Sequence, residues 1–450
     1  MNKALIDYYR CPENFAEFTL ISGLSDTSGF FRFGHDAICF GQSSSGFCAK
    51  RATDPLHDAL EDVTVKGSTP CLPFDPTQVI DNLRRERYTS NARGPVLTSA
   101  GRTIIRKAYY FLRPLMPASV RRPIQQIYFR GRGKIYFPKW PVDRTVEHIL
   151  ERLLVLSMTA NRTDQIPFIW FWPDGALSCA MITHDVETQS GRDFCSHLMD
   201  IDDSFQIKAS FQIVPEKRYK VPQSLLESIR NRGFELGIQD LNHDGRLFTD
   251  REEFLRRAER INLYAKEYGA SGFRAAVLYR NADWYDALAF SYDMSIPNVA
   301  HLDAQQGGCC TVMPYFIGGM LELPVTTTQD YSLFRILNDY SIELWKQQIA
   351  LIMDKHGLIS FIVHPDYVIE KRARNRYVGL LECISALRSE GQLWVALPRE
   401  VDSWWRERSR MKVIRQGDIW IVDGPGKERA RMAYANLRNG HLSYALEPNG

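Results

Sequence analysis

Nowhere in the 450 residues does an apolar run reach the length of about 18 residues that a membrane-crossing helix needs. The nearest approach, residues 166–182, is broken by Pro173 and Asp174. The start of the chain also lacks an apolar stretch, because Asp7, Arg10 and Glu13 come too early for a signal peptide. A cytoplasmic protein is therefore expected. Cysteine is sparse, with nine residues, an odd number, and none at a paired zinc spacing. That distribution fits reduced thiols better than a disulfide framework. Excess charge is missing too: 56 Lys and Arg oppose 53 Asp and Glu, for a formal net charge of +3. Nothing global marks a polyanion binder, and no nucleic-acid partner is expected.

What is present is length enough for a large core and more than one domain. Residues 1–100 show short β-like pieces at 29–33 and 37–40 and a helical pattern at 76–88, which predict a small mixed α/β region. His35 and His57 stand alone there and read as structural. Residues 101–164 read as a basic and aromatic helical connector, ending in a helix over 142–160. Within it, residues 102–138 interleave cations such as Arg106, Arg113 and Arg130 with Tyr109, Phe111 and Tyr128. Such a stretch can touch a membrane surface or a lipid-linked glycan. The plainer reading is a connector that packs its aromatics and snorkels its cations, and this is the one favoured.

From residue 165 a strand-then-helix rhythm begins. Strands are expected at 179–183, 209–214, 234–238, 272–277, 321–325, 357–363 and 394–397, with helical patterns between them. Alternation of this kind predicts an α/β fold, a parallel sheet curled into a (β/α) barrel over 165–410. Residues 411–450, with Gly-Asp, Gly-Pro-Gly and Asn-Gly turns, predict a small β appendage.

Chemistry in such barrels gathers at the C-terminal strand ends. The first strand ends in Thr183-His-Asp-Val-Glu187. Side chains alternate along a strand, so Thr183, Asp185 and Glu187 share one face and His184 points the other way. Two neighbouring carboxylates repel unless a cation or a proton-transfer role accounts for them. Gln239-Asp-Leu-Asn-His243 follows the third strand, Arg274-Ala-Ala276 the fourth, and Ile362-Val-His-Pro-Asp366 a later one.

These strand ends resemble, in order, the motifs of the polysaccharide deacetylase (NodB-homology) family, over roughly residues 165–405. The resemblance implies a metal-dependent hydrolase that removes an N-acyl group, most simply N-acetyl, from an amino-sugar-containing glycan or its precursor. It makes Asp185 the general base, Arg274 the group that orients it, and His364 the acid that protonates the leaving amine, kept charged by Asp366. Glu187 and His243 become ligands of a divalent metal, zinc before cobalt or nickel. Gln239 stands where the family has a second histidine. The motif between Arg274 and His364 is represented by nothing better than Leu323-Pro324. An oxyanion donor is expected from the loop after the second strand, where Pro215 has no N–H. Asn242, Asp244, Tyr279 and Trp284, with Arg246, Arg280 and Tyr285, would form a groove for the carbohydrate. The alternative function, opened by Gln239, is a weakened or inactive deacetylase-like protein that binds carbohydrate on the same barrel.

Overall fold

The computed structural model describes residues 2–44, 46, 48–90 and 135–447. Helix α1 (Lys3–Tyr9) is followed by two small sheets, one of β1 (Thr19–Leu20), β4 (Thr64–Lys66) and β5 (Thr69–Leu72), the other a hairpin of β2 (Gly29–Arg32) and β3 (Ile38–Gly41). Helix α2 (Pro76–Arg84) begins at Asp75, whose carboxylate accepts the Thr77 and Gln78 amides, with Pro76 pre-set for the first turn. The basic and aromatic stretch, up to residue 134, lies outside the described residues. Helix α3 (Thr145–Ala160) and strand β6 (Gln165–Ile169) lead into the α/β part.

That part runs β7 (Ser178–Val186), α4 (Gln189–Ser204), β8 (Ser210–Ile213), α5 (Gln223–Asn231), β9 (Glu235–Gln239), α6 (Arg251–Tyr268), β10 (Gly272–Arg274), β11 (Tyr292–Asp293), β12 (Tyr315–Ile317), β13 (Met320–Glu322), α7 (Glu343–Met353), β14 (Leu358–Ile362), α8 (Lys371–Ser389), β15 (Leu393–Val395) and α9 (Pro398–Arg410). The sheet order is β12-β13-β11-β10-β9-β8-β7-β14, with β15 also on β7, and all pairings are parallel except β12–β13. The sheet curls into the (β/α) barrel-like form expected. The run after β13 brings its two ends together. Val325 bridges Pro297, then Thr326 Oγ1 donates to Leu358 O (2.7 Å) and accepts from Ser360 N (2.9 Å), and Thr327 Oγ1 donates to Ser360 O (2.7 Å).

Each expected barrel strand is present, shifted by a residue or a few; the two-residue β11 carries no periodicity to read. All nine residues of β7 are buried. Ala180, Ile182 and Val186 face the helices, while Cys179 and Met181 enter a second core shared with α1, α3 and the N-terminal sheets. The face of Cys179 and Met181 therefore turns polar at Thr183 and Asp185. Below Gln239 on β9, a Cβ at Gly237 would run into the side-chain amide of the buried Gln212.

Strand β6, counted with the barrel in the sequence, pairs instead with the C-terminal β18 (Met432–Arg438), which pairs with β19 (His441–Leu446). A hairpin of β16 (Lys412–Gln416) and β17 (Ile419–Asp423) completes the appendage. Among the described residues no helix is long and apolar enough to cross a membrane.

Candidate active site

The C-terminal ends of β7, β9, β10 and β14 bring Asp185, Glu187, Gln239, His243, Arg274 and His364 together. Glu187 Oε1 is the hub. It lies 2.7 Å from His243 Nε2, 3.1 Å from Gln239 Nε2 and 3.5 Å from His364 Nε2. Gln239 Nε2 also donates to Asp185 Oδ2 at 3.1 Å, so one amide joins both carboxylates. Behind Asp185, the fully buried Arg274 places Nη1 3.5 Å from Oδ1 and donates from Nη2 to Thr183 Oγ1 at 3.0 Å. Thr183 in turn donates to Phe361 O on β14.

Burial sets most of the electrostatics. It raises the Asp185 carboxyl above its usual range, with Arg274 the largest opposing influence. It pushes Glu187 upward as well, but the His243 and His364 imidazoles outweigh it and hold that carboxyl well below its usual range. Burial pulls His364 down, yet Asp330 and Glu187 leave it well above the ordinary imidazole value. His243 is raised, burial again being outweighed by Glu187. The two carboxylates thus differ: Asp185 is the better base, Glu187 the more firmly ionised.

Asp330 was not singled out from the sequence. Its Oδ1 lies 2.6 Å from His364 Nδ1, and its Oδ2 accepts the His364 backbone N–H at 2.8 Å. With Nδ1–H donated to Asp330, Nε2 faces Glu187 and the reacting side. The role expected of Asp366 therefore belongs to Asp330; Asp366 Oδ1 is buried without a hydrogen bond among the described residues. The only hint was an aspartate following Thr326-Thr327-Thr328-Gln329, beyond the weak Leu323-Pro324 position. His184 points away, with Nδ1 3.1 Å from Val363 O and Nε2 3.0 Å from Asp202 Oδ2, as strand alternation requires.

The backbone around the site is held in sparsely populated conformations. Asp240 and His243 after β9 have φ of 53° and 54°, and Val277 and Leu278 after β10 have 58° and 52°. A β-branched residue in this region is an outlier, and such strain collects at functional sites.

Several of the residues expected to form a carbohydrate groove are taken up in packing or pairing. Arg280 is buried in a pair with Glu86 of the N-terminal region, donating from Nε to Oε2 at 2.7 Å. Tyr285 is buried, and so is Tyr279. Trp284 packs on Phe254 (centroids 5.4 Å apart), with Arg251 over its ring. Asp244 is clamped by Arg257 at 2.7 and 2.9 Å, and Asn242 Oδ1 accepts the Asp244 amide. Arg246 is exposed. In the loop after β8, the Val214, Glu216 and Arg218 amides all donate within the protein, which takes these three out of the oxyanion role.

The donor set accommodates a cation. Gln239 Oε1 is buried with no hydrogen bond among the described residues, at a cost of about 1–3 kcal/mol unless something positive faces it, and Asp185 Oδ1 has only the Arg274 guanidinium at 3.5 Å. Ligand atoms of Asp185, Glu187 and His364 lie within 4.8 Å of one another. That convergent group contains His364 and not the expected His243, which reaches only the Glu187 side.

No protein-family model matches the sequence, and no curated protein does. Similar solved structures include a protein from Mycobacterium smegmatis assigned as a polysaccharide deacetylase (TM-score 0.43, 19% identity, 56% of this chain and 98% of that one). Others are PuuE allantoinase (0.40, 13%, 52% and 92%) and the peptidoglycan deacetylase PdaC from Bacillus subtilis (0.32, 9%, 50% and 90%). In each case the likeness covers about half of this chain.

Proposed function

We propose that the protein is a metal-dependent hydrolase removing an N-acyl group, most simply N-acetyl, from an amino-sugar-containing glycan or glycan precursor. The observation that carries this reading is the separation of a base and an acid across Glu187. Asp185 is buried against Arg274, and His364 is held by Asp330 with Nε2 turned to the same space. Sites whose titratable neighbours are pushed apart in this way suit paired proton transfers.

Glu187, His243 and the carbonyl oxygen of Gln239 would hold the divalent metal, zinc, cobalt or nickel; Gln239 would have to turn its amide over to do so. Such an ion polarises the acyl carbonyl and lowers the pKa of a bound water. Asp185 takes the proton of the attacking water, and Arg274 keeps that carboxylate turned toward it. His364 gives its Nε2 proton to the nitrogen as the C–N bond breaks. Water oxygen ends on the acyl carbon, so the products are a free amine and a carboxylate. Metal content of the purified protein and acetate release from N-acetylated oligosaccharides test this reading. Asp185→Asn should abolish release with metal retained. Metal far below one equivalent, and no release after metal addition, would sink it.

One observation favours a second reading, a carbohydrate-binding protein without turnover. The Gln239 amide already donates to one oxygen of each carboxylate at 3.1 Å, doing with two N–H groups part of what a cation would do. Gln239→His separates the two. Restoring an imidazole should raise zinc affinity by about tenfold or more, 1.4 kcal/mol. If release appears only in that variant, the natural protein is the binding form.

A further inference from the structure

We infer that the substrate carries a negative charge, a phosphate or carboxylate, beside the sugar that is deacylated, and that Arg218 reads it; the inference rests on the hydrolase reading above. Arg218 stands at the mouth of the site. Its Nε donates to the backbone carbonyl of Glu187 at 2.8 Å, and its charge is felt at His243. The guanidinium is thus tied to the hub residue itself. Its two Nη nitrogens make no hydrogen bond among the described residues, and the residue is exposed. An arginine fork fixed through Nε and open at its outer edge matches a two-oxygen anion.

The loop is built to hold that position. Tyr219 is inserted beneath it, donating to Val186 O at 2.6 Å and accepting the Val214 amide at 3.1 Å. The Glu216 amide donates to Leu241 O at 3.0 Å, linking this loop to the one that carries His243. Lys217, at φ 65°, makes the turn that presents Arg218. Ordering costs have therefore been met before a ligand arrives.

The local charge points the same way. Lys217, Arg218 and Lys220 are all exposed, and neither lysine has an ion-pair partner among the described residues. Glu216, two residues before Arg218, is already engaged by Arg260. The rim keeps a positive field in a chain whose overall charge is close to balanced. A neutral polymer gives such a rim nothing to bind.

The test compares binding of N-acetylglucosamine, N-acetylglucosamine 1-phosphate, N-acetylmuramic acid and inorganic phosphate to the full chain by calorimetry. One anionic sugar should bind about tenfold or more tightly than the neutral one, as charge-assisted hydrogen bonds require, and which one it is identifies the group. That preference should shrink in high salt. Arg218→Gln, at an exposed position, should erase it while leaving N-acetylglucosamine affinity unchanged; Lys217→Gln with Lys220→Gln should weaken it partly. Equal affinity for neutral and charged sugars would overturn the inference and leave the hydrolase reading standing. Inorganic phosphate bound as tightly as the sugar phosphate would also overturn it. Failure of all the sugars to bind would remove both.

Discussion

Asp330 grips His364 at two points, its Oδ1 2.6 Å from the imidazole Nδ1 and its Oδ2 accepting the same residue's main-chain N–H at 2.8 Å. Ring orientation, tautomer and charge are fixed by one carboxylate. Asp330→Asn keeps the shape and loses the charge, so turnover should fall by about 10²–10⁴-fold, the usual worth of a positioned acid. The sign of the pH effect is definite. Asp330 raises the His364 pKa, so without it the protonated acid is lost at lower pH and the alkaline limb of the rate profile moves down. An unmoved limb would show that His364 is not the acid.

Arg274 acts on the opposite limb. It is the largest influence opposing the burial-driven rise of the Asp185 pKa. In Arg274→Met the base should ionise only at higher pH, moving the acidic limb up. Together with Asp330→Asn the active window should narrow from both sides. A profile of kcat/KM against pH checks this, and a limb that moves down instead would remove Arg274 from that role.

The buried Glu86–Arg280 pair docks the N-terminal region on the barrel, and Glu86 Oε1 also accepts the Gly308 amide at 2.6 Å. Removing one member leaves an unpaired buried charge. Glu86→Ala should therefore cost roughly 3–5 kcal/mol in denaturant unfolding, and Glu86→Ala with Arg280→Met much less. A loss below about 1 kcal/mol would mean that the pair is open in solution.

Glu235, at the other end of the barrel, gives a pH-dependent stability. Burial pushes its carboxyl up to about 8, against the opposing Arg399 amide that donates to it at 3.1 Å. The folded pKa is raised, so the stability it contributes is whole below the ordinary value of 4.5 and is lost as pH climbs to about 8. Across that window the loss is roughly 1.4 kcal/mol per pH unit. Glu235→Gln should abolish the slope, gaining on the parent between pH 5 and pH 8 in parallel unfolding curves. Identical slopes would place the titration elsewhere.

Much of the barrel was legible because apolar runs ending in polar residues say where a buried strand surfaces. Thr183, Asp185 and Glu187 on one face and His184 on the other follow from a period of two. Asp330 was hidden because its segment is held by threonine hydroxyls and shows no strand periodicity. Arg280 looked like a groove residue because its partner, Glu86, lies 194 positions away. Residues 165–169 fall inside the range expected for the barrel, and nothing local reveals that they form β6 on a ladder from residues 432–436.

The hydroxyl stitching between Thr326, Thr327 and β14 bears on how the acid side of the site can exist at all. A main-chain ladder would commit residues 326–330 to β geometry, with alternate side chains thrown to opposite walls. Joined through side chains, the segment can leave that geometry within three residues and bring Asp330 inward to His364. The weakest join in the cylinder is thus the one that gives its chain the freedom to turn.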